Sequence, residues 1–415
     1  MVIVIGVILC AAVITLLGAT SAEGQASAAY VVEFKDGTDA SAKTLELEKS
    51  LGFRAEHRYS ASVSGFAARL AARQRDGVSR DPQVALLHAD KPVRLALPAR
   101  SAKALPLATG VKRIGGGTKA AAGVAVAVLD TGVDLTHPDL VVLAGANCVG
   151  GANRRATAVS DGHGHGTHVS GTIGGRGGIG VAPGTTIYAV KVLDDQGRGS
   201  TSQLICGIDW VTANAARLGI RVASLSLGMP GAADGDCGRS SRDVLHKAIC
   251  RSTDAGVVYV VAAGNEATDI AGDIPSGYPE VLAVTAISDT DGAPGGRGGA
   301  AACLASERDD VAASFSNYAG DPAGAAHLIT APGVCIRSAW PGGGYRTISG
   351  TSMAAPHVAA TVALCIASGR CRGAPATIIR QVRADAAAHG DHFTGDERSL
   401  IAGRHFGELA WAGSY

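Results

Sequence analysis

Three residue types that together make a proton relay stand far apart in this chain. They are Asp130 at the end of the apolar run GVAVAVL, His165 in SDGHGHGTHVSGT, and Ser352 in GTSMAAPHVAATVALCIA. A serine hydroxyl is a weak nucleophile until a neutral imidazole takes its proton, and a carboxylate behind the imidazole fixes its tautomer and stabilises its cation. Ser352 opens a run too continuously apolar for one amphipathic stripe, which reads as a buried helix. At such a start, unpaired N–H groups and the helix dipole favour an anion forming beside the hydroxyl. On this stretch alone, a plain capping role for Ser352 or Thr351 stays open. The order acid, base, nucleophile is one known arrangement of the relay.

Other chemistries fit less well. His163, His165 and His168 could gather a metal, but no HExxH pattern or convergent carboxylate set accompanies them, so no metal is expected in the chemistry. LDTG at 129–132 matches half of an aspartic-peptidase site, which needs a second carboxylate from a like motif that the sequence lacks. His168 and His357 read as satisfied helix histidines.

The elements that must position these residues follow from periodicity. Continuous β-rich runs at 123–129, 186–193, 222–227, 257–262 and 281–287, with helical patterns at 201–216 and 242–255, predict an α/β fold with a doubly wound, mostly parallel sheet. Ligands then bind beyond the carboxyl ends of the strands, where Asp130 and the Asn265 of VVAAGN fall. One more helix is expected at 376–388. Ahead of this region, residues 29–96 are more charged and carry strand patterns at 30–34, 64–70 and 84–89 and a helix at 40–51, a small α+β unit. Residues 95–107 mix Pro, Ala, Ser, Lys and Arg without period, as an exposed, cuttable linker does.

With 37 basic against 36 acidic side chains and 4% aromatics, neither a global field nor a stacking platform points to nucleic acid. Residues 1–18 are apolar and small residues follow, so residues 1–24 read as a secretory signal peptide. No Lys or Arg precedes the apolar core, which leaves a membrane anchor by residues 1–18 as the alternative. Eight cysteines follow, an even number after export, with no zinc-like close pairs. The pairing expected is Cys237 with Cys250, Cys303 with Cys335, Cys365 with Cys371, and Cys148 with Cys206.

LDTGVDLTHPDL, GHGTHVSGT, AAGN and GTSMAAPH, in that order, resemble the subtilisin-like serine peptidases over residues 111–368. YAVKVLDDQGRGS, SFSNYAG and GGRGGIGVAP make the chain most similar to the proteinase K branch, and YVVEFK, SGFAARL and DPQVALLHAD resemble that family's inhibitor prodomain. The resemblance implies a ferredoxin-like prodomain over 25–96 and a peptidase domain over 97–415. It implies a secreted serine endopeptidase of broad specificity, made as a self-processing zymogen, acting on polypeptides as a monomer and held by its own prodomain as an intramolecular inhibitor. A membrane-held processing peptidase and an inactive peptide-binding relative are the alternatives.

Residue by residue, the resemblance makes Asp130 the orienting carboxylate, His165 the base, Ser352 the nucleophile and Asn265 the oxyanion donor. Ser226, Leu227 and Gly228 form one substrate-binding edge and Gly199 the facing one, while Ala263 and Gly264 wall a roomy apolar pocket for a large apolar or aromatic side chain. No cofactor is implied for the chemistry. Structural calcium is expected at one or two weak sites at most, because Leu328 stands where the branch places an aspartate and Asp139 serves equally as ligand or loop cap. Two further departures are Ser224, where the family has Asn, and a Gly- and Ala-rich insertion at 291–310, expected as a surface loop.

Overall fold

The computed structural model describes residues 27–96, 108–151, 158–396 and 400–415. The expected signal segment and most of the linker lie outside these residues.

The larger unit is built on an eight-stranded sheet. Across it run Val141–Asn147, Thr186–Lys191, Ala125–Asp130, Ile220–Leu225, Val258–Ala262 and Leu282–Ser288, all parallel, with Leu328–Pro332 parallel and Val311–Ala312 antiparallel against the last. Every residue of Ala125–Asp130, Val258–Ala262 and Leu282–Ser288 is buried, as strands covered by helices on both faces must be. Ala125–Asp130 comes first in the chain yet sits mid-sheet, with later strands added on either side. The winding therefore reverses at its carboxyl end, which opens a crevice there.

One strand expectation needs correction, and one strand was missed. The run at 222–227 is not one strand: it leaves the sheet after Leu225, and Leu227–Pro230 pairs elsewhere. The cause is Ser226, whose hydroxyl donates to Ser352 O at 3.0 Å and ties the chain to a helix. Val141–Asn147 was not anticipated, because this edge strand is partly exposed and ends in Ala-Gly-Ala-Asn.

That helix, Thr351–Ala367, passes through the core, with every residue from Thr351 to Cys365 buried. Pro356 lies inside it and has no N–H for the carbonyl four residues back, which is Ser352 O. The hydroxyl of Ser226 supplies the missing donor, so the helix start and the turn at Ser226 hold each other. Helices Thr201–Leu218 and Val244–Asp254 are capped by Ser200 and Asp243, whose side chains accept from Gln203 N and from Leu245 N and His246 N.

The smaller unit is the expected ferredoxin-like prodomain. Strands Ala28–Phe34, Ala55–Tyr59, Gly65–Leu70 and Val84–Ala89 form an antiparallel sheet, with helices Ala40–Leu51 and Ala72–Ser79 on one face around Phe34, Phe66 and Leu70. Its sheet docks on the two capped helices of the larger unit. Tyr59 Oη donates to Ser202 O at 3.0 Å, Asp209 Oδ1 accepts from Ala61 N and Ser62 N at 2.7 Å each, and Lys247 Nζ meets Glu33 Oε1 at 2.8 Å. The four disulfides join the pairs expected from the sequence. Within the insertion, Ala300–Ala301 and Leu304–Arg308 pair, so this loop carries a short ribbon.

Candidate active site

Asp130 ends the mid-sheet strand and is 1% exposed. Its carboxylate oxygens lie 2.8 and 2.9 Å from His165 Nδ1, and Oδ1 also accepts from Thr131 N at 2.7 Å. A carboxylate there calls for a proton on Nδ1, which leaves Nε2 as the basic nitrogen. His165 Nε2 is buried and has no hydrogen-bond partner among the described residues.

His165 opens the helix His165–Gly174, and the turn into it needs its glycines. Gly164 has φ +103°, and a Cβ there would stand 2.2 Å from the Trp340 ring; a Cβ on Gly166 would stand 2.0 Å from Gly132 O. Asp161 fixes the same turn. Its Oδ1 accepts from Thr131 Oγ1 (2.8 Å) and Gly164 N (2.7 Å), and its Oδ2 from Thr167 N (2.9 Å) and Oγ1 (2.7 Å). Asp161 was not singled out from the sequence, although an aspartate ahead of a glycine-rich helix start is a capping signal.

Ser352 is the second residue of the core helix, where its N–H has no intrahelical acceptor. Its hydroxyl lies 2.5 Å from the carbonyl oxygen of Ala96 and 3.2 Å from Ser226 O. No hydrogen bond joins it to His165: Asp130 and His165 are paired, while the hydroxyl is turned to the end of the prodomain.

Asn265 follows the strand Val258–Ala262. Its Oδ1 accepts from Thr351 N at 2.9 Å and from Thr351 Oγ1 at 3.2 Å, which turns its amide nitrogen outward. That Nδ2 is buried with no partner among the described residues. Asn317, quoted above only as part of SFSNYAG, braces the turn: its Nδ2 donates to Ala263 O at 2.9 Å and its Oδ1 accepts from Glu266 N and Thr268 N at 3.0 Å.

The prodomain's last described residues form a strand in the crevice. Pro92–Leu95 lies antiparallel between Leu227–Pro230 and Arg198–Ser200, with Leu95 opposite Leu227, Arg94 opposite Gly228 and Val93 opposite Gly199. Ala96 N reaches Ser226 O at 3.4 Å and Leu95 N reaches Gly197 O at 3.3 Å. Val93 is 1% exposed among apolar side chains. Beside Ala96 opens a cavity of about 530 Å³, walled by Gly228, Ala262, Gly264, Glu266, Thr268 and Asp273. Ala263 contributes no side chain to it and packs instead with Ile270, Ala283 and Leu328, as alternation past a strand requires. Nor is the wall wholly apolar: burial, helped by the nearby Glu266 charge and opposed by a hydrogen bond from Ser276, pushes the Asp273 carboxyl up to about 7.

His168 and His357 are satisfied at one ring nitrogen each, not at both as expected: His168 Nδ1 and His357 Nε2 are buried with no hydrogen-bond partner among the described residues. His168 Nε2 faces Ile336 O at 3.0 Å and Arg346 O at 3.1 Å, and His357 Nδ1 faces Met353 O at 2.8 Å. Burial pushes them down to about 3 and about 4, so both are neutral at ordinary pH. Asp139 Oδ2 receives the Tyr345 hydroxyl.

A mid-sheet crevice with an Asp–His pair, a serine at a buried helix start and a peptide strand across it defines a hydrolase of the peptide-cleaving class. The sequence profile of the subtilase family matches residues 121–400, and that of the peptidase inhibitor I9 family matches residues 29–96. The chain belongs to the subtilase family. It is 40% identical to Subtilisin BL of Lederbergia lenta over 247 residues, 58% of this chain and 76% of the relative. It is 36% identical to Alkaline serine protease ver112 of Corniculantispora psalliotae over 318 residues, 74% and 73% of the two. A crystal structure of a cold adapted subtilisin-like serine proteinase superposes with a TM-score of 0.56 at 30% identity, covering 74% of this chain and 99% of the other. The protein is thus a serine endopeptidase preceded by an inhibitory prodomain. Among the described residues no helix is long and apolar enough to cross a membrane.

Proposed function

We propose that Asp130, His165 and Ser352 form the catalytic relay of a secreted, broad-specificity endopeptidase that first cuts its own chain between Ala96 and Leu97. The observation that carries this reading is the Ser352 hydroxyl donating to the Ala96 carbonyl oxygen at 2.5 Å, at the end of a strand held on both edges. In the reaction, His165 Nε2 takes the serine proton as Oγ bonds to the carbonyl carbon, and Asp130 stabilises the imidazolium. Asn265 Nδ2 and Ser352 N stand ready for the oxyanion. His165 then gives the proton to the leaving amine, and water repeats the sequence on the acyl-enzyme. The protein needs no cofactor for these steps.

Backbone pairing along Leu227–Gly228 and Gly199 reads any extended peptide, which gives broad specificity. The processing boundary then separates a prodomain ending at Ala96 from a monomeric peptidase starting at Leu97, and a signal segment over residues 1–24 directs export. The test is Ser352→Ala, made free of other peptidases: its intact mass is that of the joined chain, and trimming at Ala96 in this variant refutes self-processing. Organophosphate labelling of the active enzyme places the adduct on Ser352.

The cavity beside Ala96 supports a large side chain at the residue before the cut. Glu266 and Asp273 in its wall favour a second reading of that pocket, in which lysine and arginine are taken as well as apolar residues. Cleavage profiling of a peptide library decides between them.

A further inference from the structure

We propose that the insertion builds a binding site for a hard divalent cation, calcium by its chemistry, from Asp289, Asp291 and Asp309. These three residues offer one carboxylate oxygen each, all within 4.8 Å of one another. They come from both ends of the insertion: Asp289 follows the strand Leu282–Ser288, and Asp309 follows the ribbon strand Leu304–Arg308. Asp309 is preset. Its Oδ1 accepts from Thr290 N at 2.7 Å and Thr290 Oγ1 at 3.0 Å, and its Oδ2 from Gly298 N at 2.7 Å.

The independent observation is Asp289 Oδ2, on a residue only 2% exposed, which is buried with no hydrogen-bond partner among the described residues. Native proteins rarely leave a buried carboxylate oxygen unanswered, and here it stands among further acids. Arg113 is the cation at hand, and its guanidinium is already divided: 3.7 Å to Asp289 Oδ1, 3.1 Å to Asp310 Oδ1 and 2.5 Å to Asp391 Oδ2. Among the described residues no Lys or Arg pairs with the carboxylates of Asp291 or Asp309; Lys112 Nζ reaches only the backbone oxygen of Asp291, at 3.4 Å. Three carboxylates with no imidazole or thiolate form an oxygen-only set, which selects calcium over zinc. Asp291 is exposed and gives the ion its entry.

A bound ion would join the two ends of the insertion and, through Arg113, brace the helix Thr109–Arg113 that follows the cut linker. The other metal-like group, Cys237, His246, Cys250 and Glu280, carries no such proposal because both sulfurs are spent in a disulfide.

The test uses the full chain as Ser352→Ala, which removes self-digestion, treated with chelator and then titrated with calcium chloride. Calorimetry and the thermal midpoint are both read. Calcium is expected to bind and raise the midpoint. Asp291→Asn, at an exposed position, and Asp309→Asn should each weaken calcium binding on the order of tenfold or more, and Asp291→Asn should leave the midpoint in chelator unchanged. Magnesium should substitute poorly. No calcium response in the parent, or one that both variants retain at full affinity, overturns the proposal.

Discussion

Asn265 carries the clearest prediction at the scale of single residues. Its amide nitrogen is held without a partner by two bonds at its other end, so Asn265→Ala should lower kcat about 10²–10³-fold and leave KM nearly unchanged. A rise in KM alone, measured on a chromogenic peptide, contradicts the oxyanion role. Asp273 gives a pH prediction with a definite sign. Its carboxyl is pushed up to about 7, so it gains charge as the pH rises through that value. The ratio of kcat/KM for a lysine over a phenylalanine substrate should climb across the same range, and Asp273→Asn should flatten the climb. Asp130, His165, Asn265 and Ser352 were legible because each sits in a local pattern: a β-run ending in an acid, a glycine-rich helix start, a β-run ending in Gly-Asn, and the start of a continuously apolar run. Asp161 and Asn317 were not, since their work consists of hydrogen bonds to segments that only the fold brings near.

At the scale of elements, the proposed nucleophile Ser352 and the proposed base His165 each sit at a helix start whose geometry is set by something outside the helix. For the helix of His165 that outside group is Asp161, which holds five donors. Asp161→Ala should cost about 2 kcal/mol or more, because buried donors lose a charged acceptor, and should lower kcat more than it changes KM. Chemical denaturation and steady-state kinetics check the two halves. For the helix of Ser352 it is Ser226, and there the sequence misled. Ser224 and Ser226 are alike small polar residues alternating with apolar ones in 222–227, so periodicity alone cannot show that the chain turns out of the sheet at the second and not at the first. Central strands were legible because burial on both faces leaves a continuous run. The partly exposed edge strand Val141–Asn147 and the polar helix Ala72–Ser79 leave no such mark.

At the scale of the whole molecule, prodomain and peptidase meet across polar contacts as well as apolar ones. Asp209 bonds the backbone of Ala61 and Ser62, and Arg251 Nη2 lies 3.1 Å from Asp36 Oδ1. Asp209→Ala should shorten the lag before activity appears, followed with a continuous peptide assay. Beside this interface His246 lies between Asp234 (3.0 Å) and Glu280 (2.7 Å), stacked on Tyr278. Burial alone would lower its pKa, but the carboxylates of Glu280, Asp234 and Asp243 outweigh that and raise it above 6.5. A base raised on folding adds stability below its unfolded pKa and loses it as the pH rises through the folded one. The thermal midpoint should therefore fall above about pH 6.5, and His246→Gln should remove that part of the slope. The strand Pro92–Leu95 has one more consequence, for timing. Target and blade share a single polypeptide, so the opening scission should obey first-order kinetics: its half-time should be the same in a concentrated and in a highly diluted preparation. Newly made copies would then ripen at a pace indifferent to crowding, whereas later destruction of the severed fragment by neighbours should quicken with abundance.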